Sequence, residues 1–137
     1  MFYCELLSGF WIGDIDILQN KKFIIDNDIK IILNCTEIFD FPQLDNIEKI
    51  RLPFSSLQDN NNLSLLQKNY IKIINYINDK IDDNNILICC SDGFTISPLI
   101  VALYVKKFSK IDNKSIYTIL LSKNKNFNLW CDIDLFN

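Results

Sequence analysis

The chain has 137 residues, 49% of them hydrophobic and 23% charged, with a net charge of −3 and an isoelectric point near 4.8. That composition suits a single domain over residues 1–137 with a globular core rather than disorder, and its mild acidity argues against a sequence-independent grip on nucleic acid, which needs a basic face. No apolar run approaches the ~20 residues a membrane span needs, and with no histidine and Arg51 as the only arginine, histidine bases, histidine metal ligands and arginine clamps at any other position are excluded.

In chain order, Glu5 to Ile12 reads as short strands broken at Ser8-Gly9. Asp14 or Asp16 is placed to cap a helix running towards Ile25, with a turn at Asn27-Asp28. Ile29 to Cys35 is a β-branched run of strand length, and a second short strand is expected from Lys49 to Leu52, closed by Pro53. The Asn-rich patches Asn60-Asn61-Asn62 and Asn84-Asn85 read as loops. From Leu63 to about Ile81 the apolar residues Leu66, Tyr70, Ile73, Ile77 and Ile81 recur at helical spacing, with Lys68, Lys72, Asn75 and Asp79 on the other side, which predicts an amphipathic helix packed on a sheet.

Ile86-Leu87-Ile88-Cys89-Cys90 follows as a nearly continuous apolar run, the pattern of a strand buried on both faces. Ser91 to Thr95 forms a loop into a helix over Ser97 to Val105, where Pro98 suits the first turn. A further helix is expected from about Asp112 to Leu121, and the apolar tail from Asn126 to Asn137 is expected to dock. Alternating strands and helices imply an α/β three-layer sandwich: a central, mostly parallel sheet flanked by helices.

The cysteines are Cys4, Cys35, Cys89, Cys90 and Cys131. An odd number without framework spacing, behind a start that lacks a secretory pattern, predicts reduced thiols in a cytoplasmic compartment. Zinc-type spacing is absent, so neither a metal nor a cofactor is expected. Cys89 and Cys90 should diverge to opposite faces of their strand. Trp11 and Trp130 are core residues, or partner anchors if exposed.

The segment Cys90 to Ser97 carries the chemical interest. Ligands of open α/β sheets gather at the carboxyl ends of strands, and a tight loop into a helix N-terminus presents free N–H groups and a favourable dipole to anions. A cysteine there would have its thiolate stabilised. An inert buried cysteine beside an ordinary βα turn has the same pattern, and spacing alone leaves both readings open.

Four segments, in order, resemble the dual-specificity phosphatases, of the cysteine-based protein tyrosine phosphatase superfamily. Leu7 to Asp14 resembles the family's first strands, Ile29 to Thr36 its "I..ILN.T" strand, Arg51 to Ser56 the segment carrying the general acid, and Ile86 to Tyr104 the signature "VLVHCxAGxSRS" with its helix. The resemblance implies a phosphate loop made of Cys90, Ser91, Asp92, Gly93, Phe94, Thr95 and Ile96. Cys90 matches the nucleophile, Gly93 the loop glycine, Ser97 the hydroxyl that assists the leaving thiolate, and Asn34 a residue that braces the loop.

The departures from the family fall on the chemistry. Ile96 stands where the family's arginine forks onto phosphoryl oxygens, a group worth about 10³–10⁵ in rate in comparable reactions. Cys89 stands where the family has histidine. The general acid aligns with Ser56 or Leu57, a loss worth about 10²–10⁴, with Asp59 nearby as a substitute if the loop shifts. Asp92 replaces a small apolar residue and would repel a dianion. Arg51 is expected on the surface or paired with an acid such as Glu48.

The expected function is therefore a pseudophosphatase: a protein-binding or regulatory module, its partner a protein and in one form a phosphoprotein, with no nucleic acid and no membrane. The alternatives are a weak phosphatase using Cys90 and a structural subunit of an oligomer.

Overall fold

The computed structural model describes residues 1–54 and 59–136. Ser56 and Leu57, the positions aligned with the general acid, lie outside them.

Two short N-terminal strands, β1 (Tyr3–Leu7) and β2 (Phe10–Gly13), form an antiparallel hairpin. Gly9 turns it with φ +75°, a conformation a side chain would strain. Next come α1 (Ile15–Leu18), α2 (Lys21–Asp26), β3 (Ile29–Asn34) and β4 (Glu48–Arg51). The long helix α3 (Asn60–Lys80), strand β5 (Asn85–Cys89), helices α4 (Ser97–Phe108) and α5 (Asn113–Lys123), and a 3-10 turn at Ile133–Leu135 complete the chain. The sheet order is β1-β2-β5-β3-β4, with β5 running parallel to both β2 and β3, and β3 parallel to β4. This is the mostly parallel α/β sandwich the sequence predicts.

The run Ile86–Cys90 divides its side chains between two cores. Ile86, Ile88 and Cys90 join Phe10, Ile12, Ile31 and Leu33 beneath α3, α4 and α5, whereas Leu87 and Cys89 join Ile29 and Ile32 beneath α1 and α2. The central strand is thus covered on both faces, which is why its sequence shows no polar alternation. In β3 the alternation slips at Lys30, where the register with β5 shifts.

Several boundaries differ from the sequence reading. The helix expected from Asp14 to Ile25 is two helices. Asp14 caps α1 by accepting from the Ile17 N–H at 3.1 Å, and Asn20 restarts the chain by accepting from the Phe23 N–H at 3.0 Å. A short amide that bonds the backbone locally competes with continuing a helix. The triplet Asn60-Asn61-Asn62 is not a loop but the first turn of α3, because Asp59 caps it through the Asn62 N–H at 2.9 Å. Asn85 likewise opens β5 instead of lying in a loop.

The tail docks. Phe127, Trp130, Ile133 and Phe136 are all buried, and Lys106 of α4 donates to the carbonyl oxygens of Ile133 and Phe136 at 3.0 and 2.6 Å. Trp130 is therefore core and not a surface anchor, and Trp11 is partly buried against the rings of Tyr3 and Phe23.

Candidate functional site

The carboxyl ends of β5 and β3 meet at residues 90–97 and 34–39. Strand β5 ends at Cys89, and the Cys35 N–H donates to its carbonyl oxygen at 2.8 Å. Cys90 follows, its own N–H held by the Gly13 carbonyl at 3.2 Å. The chain then turns through Ser91–Thr95 into α4. Gly93 has φ +79°, and a Cβ there would lie 2.6 Å from the Phe2 ring and 3.1 Å from the Gly13 carbonyl carbon. Both the turn and the close approach of the N-terminal strands therefore require glycine.

Outside the loop, the rings of Phe2 and Phe94 stack at 4.3 Å, with Phe127 6.0 Å from Phe94. The tail closes the same side. The N–H groups of Asn128 and Trp130 donate to the carbonyl oxygens of Phe94 and Thr95, each at 3.0 Å. Sequence reasoning missed this strap, because backbone-to-backbone bonds leave no residue signature.

The Cys90 side chain is fully buried. Its sulfur accepts from the Ser97 N–H at 3.4 Å, which sets it over the first residue of α4. Ser97 is itself fully buried, and its hydroxyl has no hydrogen-bond partner among the described residues. The N–H groups of Ser91, Asp92, Gly93, Thr95 and Ile96 find no acceptor among the described residues either.

Asp92 turns back into the loop. Its Oδ1 accepts from the Phe94 N–H at 2.8 Å and the Thr95 hydroxyl at 3.1 Å, and the Cys90 thiol donates to it across 3.7 Å. Asp-Gly in a turn is a known signal for a carboxylate that bonds the backbone two residues on. The sequence held that signal, but the bond from Thr95 was not foreseen.

Ile96 is 5% exposed and packs in the main core with Cys90, Leu99 and Ile100. Its side chain is thus committed to the interior, not to the space over the loop. Asp59 is engaged as the cap of α3.

Asn34 braces a different segment from the one expected. Its amide nitrogen donates to the Phe39 carbonyl at 2.8 Å, and its oxygen accepts from the Thr36 N–H and hydroxyl at 3.1 and 2.7 Å. These bonds hold the start of the β3–β4 crossover. Arg51 is not paired with Glu48 either. It donates to the carbonyl oxygens of Thr36 and Phe39, both at 2.9 Å, under the Phe41 ring. The reason is register: Arg51 pairs beside Asn34, so its fork opens onto the turn that leaves β3.

Burial pushes the thiols of Cys35 and Cys89 well above the usual cysteine value, and neighbouring sulfurs push them further. Neither is poised for thiolate chemistry. Cys89 and Cys90 lie on opposite faces of the sheet, in separate cores. Among the described residues no group of His, Cys, Asp and Glu side chains is arranged to hold a metal ion.

The chain has the fold of the dual-specificity phosphatases. Human DUSP28 superposes on 93% of this chain and 84% of its own length with a TM-score of 0.80 at 9% identity. DUSP15 covers 93% of this chain and 78% of its own at 0.78 and 19% identity. The human tyrosine phosphatase-like serine/threonine/tyrosine-interacting protein covers 91% and 85% at 0.77 and 14% identity. No family model and no curated protein matches the sequence itself.

Proposed function

We propose that this chain is a pseudophosphatase, a phosphatase fold that acts by binding a protein partner in a reducing, cytoplasmic setting. The observation that carries the reading is the burial of Ile96 in the core. At that place the family's chemistry needs a guanidinium forked onto the phosphoryl oxygens, and isoleucine supplies neither a donor nor a charge. Stabilising the transition-state charge is the main contribution of a protein to phosphoryl transfer. Without it, a correctly placed sulfur does not suffice.

Two further observations support the reading. Asp92 sets a carboxylate among the loop's donors, and Cys89 is a buried thiol where a histidine would polarise the nucleophile. A structural neighbour, the tyrosine phosphatase-like interacting protein, carries in its name the same pairing of phosphatase likeness with interaction.

The weak-phosphatase reading retains one specific support, the Ser97 N–H on the Cys90 sulfur, which is the contact a thiolate would use. Hydrolysis of an aryl phosphate by the purified chain, beside Cys90→Ser, separates the two. No turnover above background in either protein is expected. Turnover that Cys90→Ser abolishes would make the chain an enzyme.

A further inference from the structure

We infer, resting on the reading above, that Asp92 is a built-in ligand of the loop, an autoinhibitory carboxylate that takes the place of a tetrahedral oxyanion at the N-terminus of α4. A twelve-residue helix offers an incoming anion its free N–H groups and the positive end of its dipole. Here an anion is already present, supplied by the chain. One oxygen of Asp92 takes a backbone N–H, a hydroxyl and a thiol from three residues of the same loop, Phe94, Thr95 and Cys90.

Five loop N–H groups have no acceptor among the described residues. The fully buried Ser97 hydroxyl, on the residue whose N–H meets the Cys90 sulfur, has no partner among them either. A buried hydroxyl without a partner is uncommon and calls for a reason, and a group bound beside Cys90 would provide one. Asp92 is exposed to solvent, and its Oδ1 meets donors from Cys90 at the start of the loop to Thr95 near its end. A phosphoryl group entering the loop must displace the carboxylate and meet its charge, and like charges brought together oppose binding strongly.

The test is titration of inorganic phosphate into the full chain and into Asp92→Ala and Asp92→Asn, followed by the backbone amide resonances of residues 91–96, with melting temperatures taken on the same samples. Asp92→Ala removes the charge and the acceptor. Asp92→Asn removes the charge alone and keeps the turn. The expected result is phosphate affinity about tenfold or more above wild type for Asp92→Ala, an intermediate gain for Asp92→Asn, and shifts centred on the loop amides. Equal affinities in all three folded proteins, or shifts that bypass the loop, overturn the inference. Should Asp92→Ala fail to melt cooperatively, Asp92→Asn decides: a gain over wild type upholds the inference and equality overturns it. Aryl phosphate turnover by wild type would sink the proposed function and leave this titration standing, whereas a flat titration without turnover sinks only the inference.

Discussion

Asn34 and Arg51 donate to the same acceptor, the carbonyl oxygen of Phe39, at 2.8 and 2.9 Å. They sit side by side in the β3–β4 register, so a pair of adjacent strands closes a loop that neither could hold alone. Asn34 is fully buried, and alanine there strands the Thr36 and Phe39 groups. A loss of about 2–4 kcal/mol in unfolding free energy is expected. Arg51→Ala is expected to cost about 1–3 kcal/mol, and Arg51→Lys to recover only part of that, because an ammonium cannot fork onto two carbonyls. The double variant should lose less than the sum, because removing either residue already loosens the segment that the other one holds. Urea denaturation of wild type and the four variants checks this, and strict additivity would mean that the two residues do not act on the segment together.

The tail carries the second prediction. Trp130 packs 6.4 Å from Phe54 and its backbone N–H holds the Thr95 carbonyl. Trp130→Ala is expected to cost about 3–5 kcal/mol. Removal of residues 126–137 should also free the carbonyls of Phe94 and Thr95, so the Phe94 amide, held within the loop by Asp92, should exchange faster with solvent than it does in the full chain. Hydrogen exchange on the truncated chain reads this directly. Unchanged protection of the loop would show that the tail does not strap it.

The central elements were legible because burial writes itself into sequence. The run Ile86–Cys90 has no polar position, since both of its faces are covered, and α3 shows helical spacing because one side faces the sheet. Cys90, Gly93 and Ser97 could be placed from the loop's position between a buried strand and a helix with an early proline. What sequence could not reveal were choices made by single hydrogen bonds. Asn60–Asn62 have loop composition, and only the cap at Asp59 makes them helix. Arg51 looked like a solvated charge because its acceptors are backbone carbonyls that no residue type announces. Asn34 had the right identity for a brace, but which loop it braces depends on which oxygen lies within reach.

Ile96 supports a third prediction. Because its side chain is buried in the same core as Cys90, Leu99 and Ile100, arginine at that position must either bury a charge or pull the start of α4 outward. Ile96→Arg is expected to lose about 2–5 kcal/mol of stability, against about 0.5–1.5 kcal/mol for Ile96→Val. The arginine alone should not restore aryl phosphate hydrolysis while Asp92 remains in the loop. Denaturation midpoints and a hydrolysis assay on the two variants check both parts, and a stable, active Ile96→Arg would show that the missing guanidinium was the whole deficit.

The thiols give the last prediction, in which burial sets both reactivity and pH dependence. Cys35, Cys89 and Cys90 are buried, whereas Cys4 and Cys131 are partly exposed. Alkylation of the native chain with iodoacetamide, read by mass spectrometry, should therefore label Cys4 and Cys131 and spare the other three. An active-site thiolate would instead make Cys90 the first to react. Cys131 itself is pushed up to about 11 by burial and by Asp132, so its labelling should still be rising at pH 10. For Cys35 and Cys89 the folded value is raised well above 9.0, so the folded chain holds protons that the unfolded chain releases. Their contribution is complete below the unfolded thiol value of about 8.5 and is lost as pH climbs towards the folded values. Unfolding free energy should then decline from pH 8 to pH 10, and the partly buried tyrosines Tyr104 and Tyr117, also raised, add to the slope with the same sign. Cys35→Ala should be less stable than wild type at pH 7, and the gap should narrow as pH rises. Denaturant midpoints at pH 7, 8.5 and 10 measure it, and a gap that widened with pH would mean that the Cys35 thiol ionises more readily in the fold than out of it.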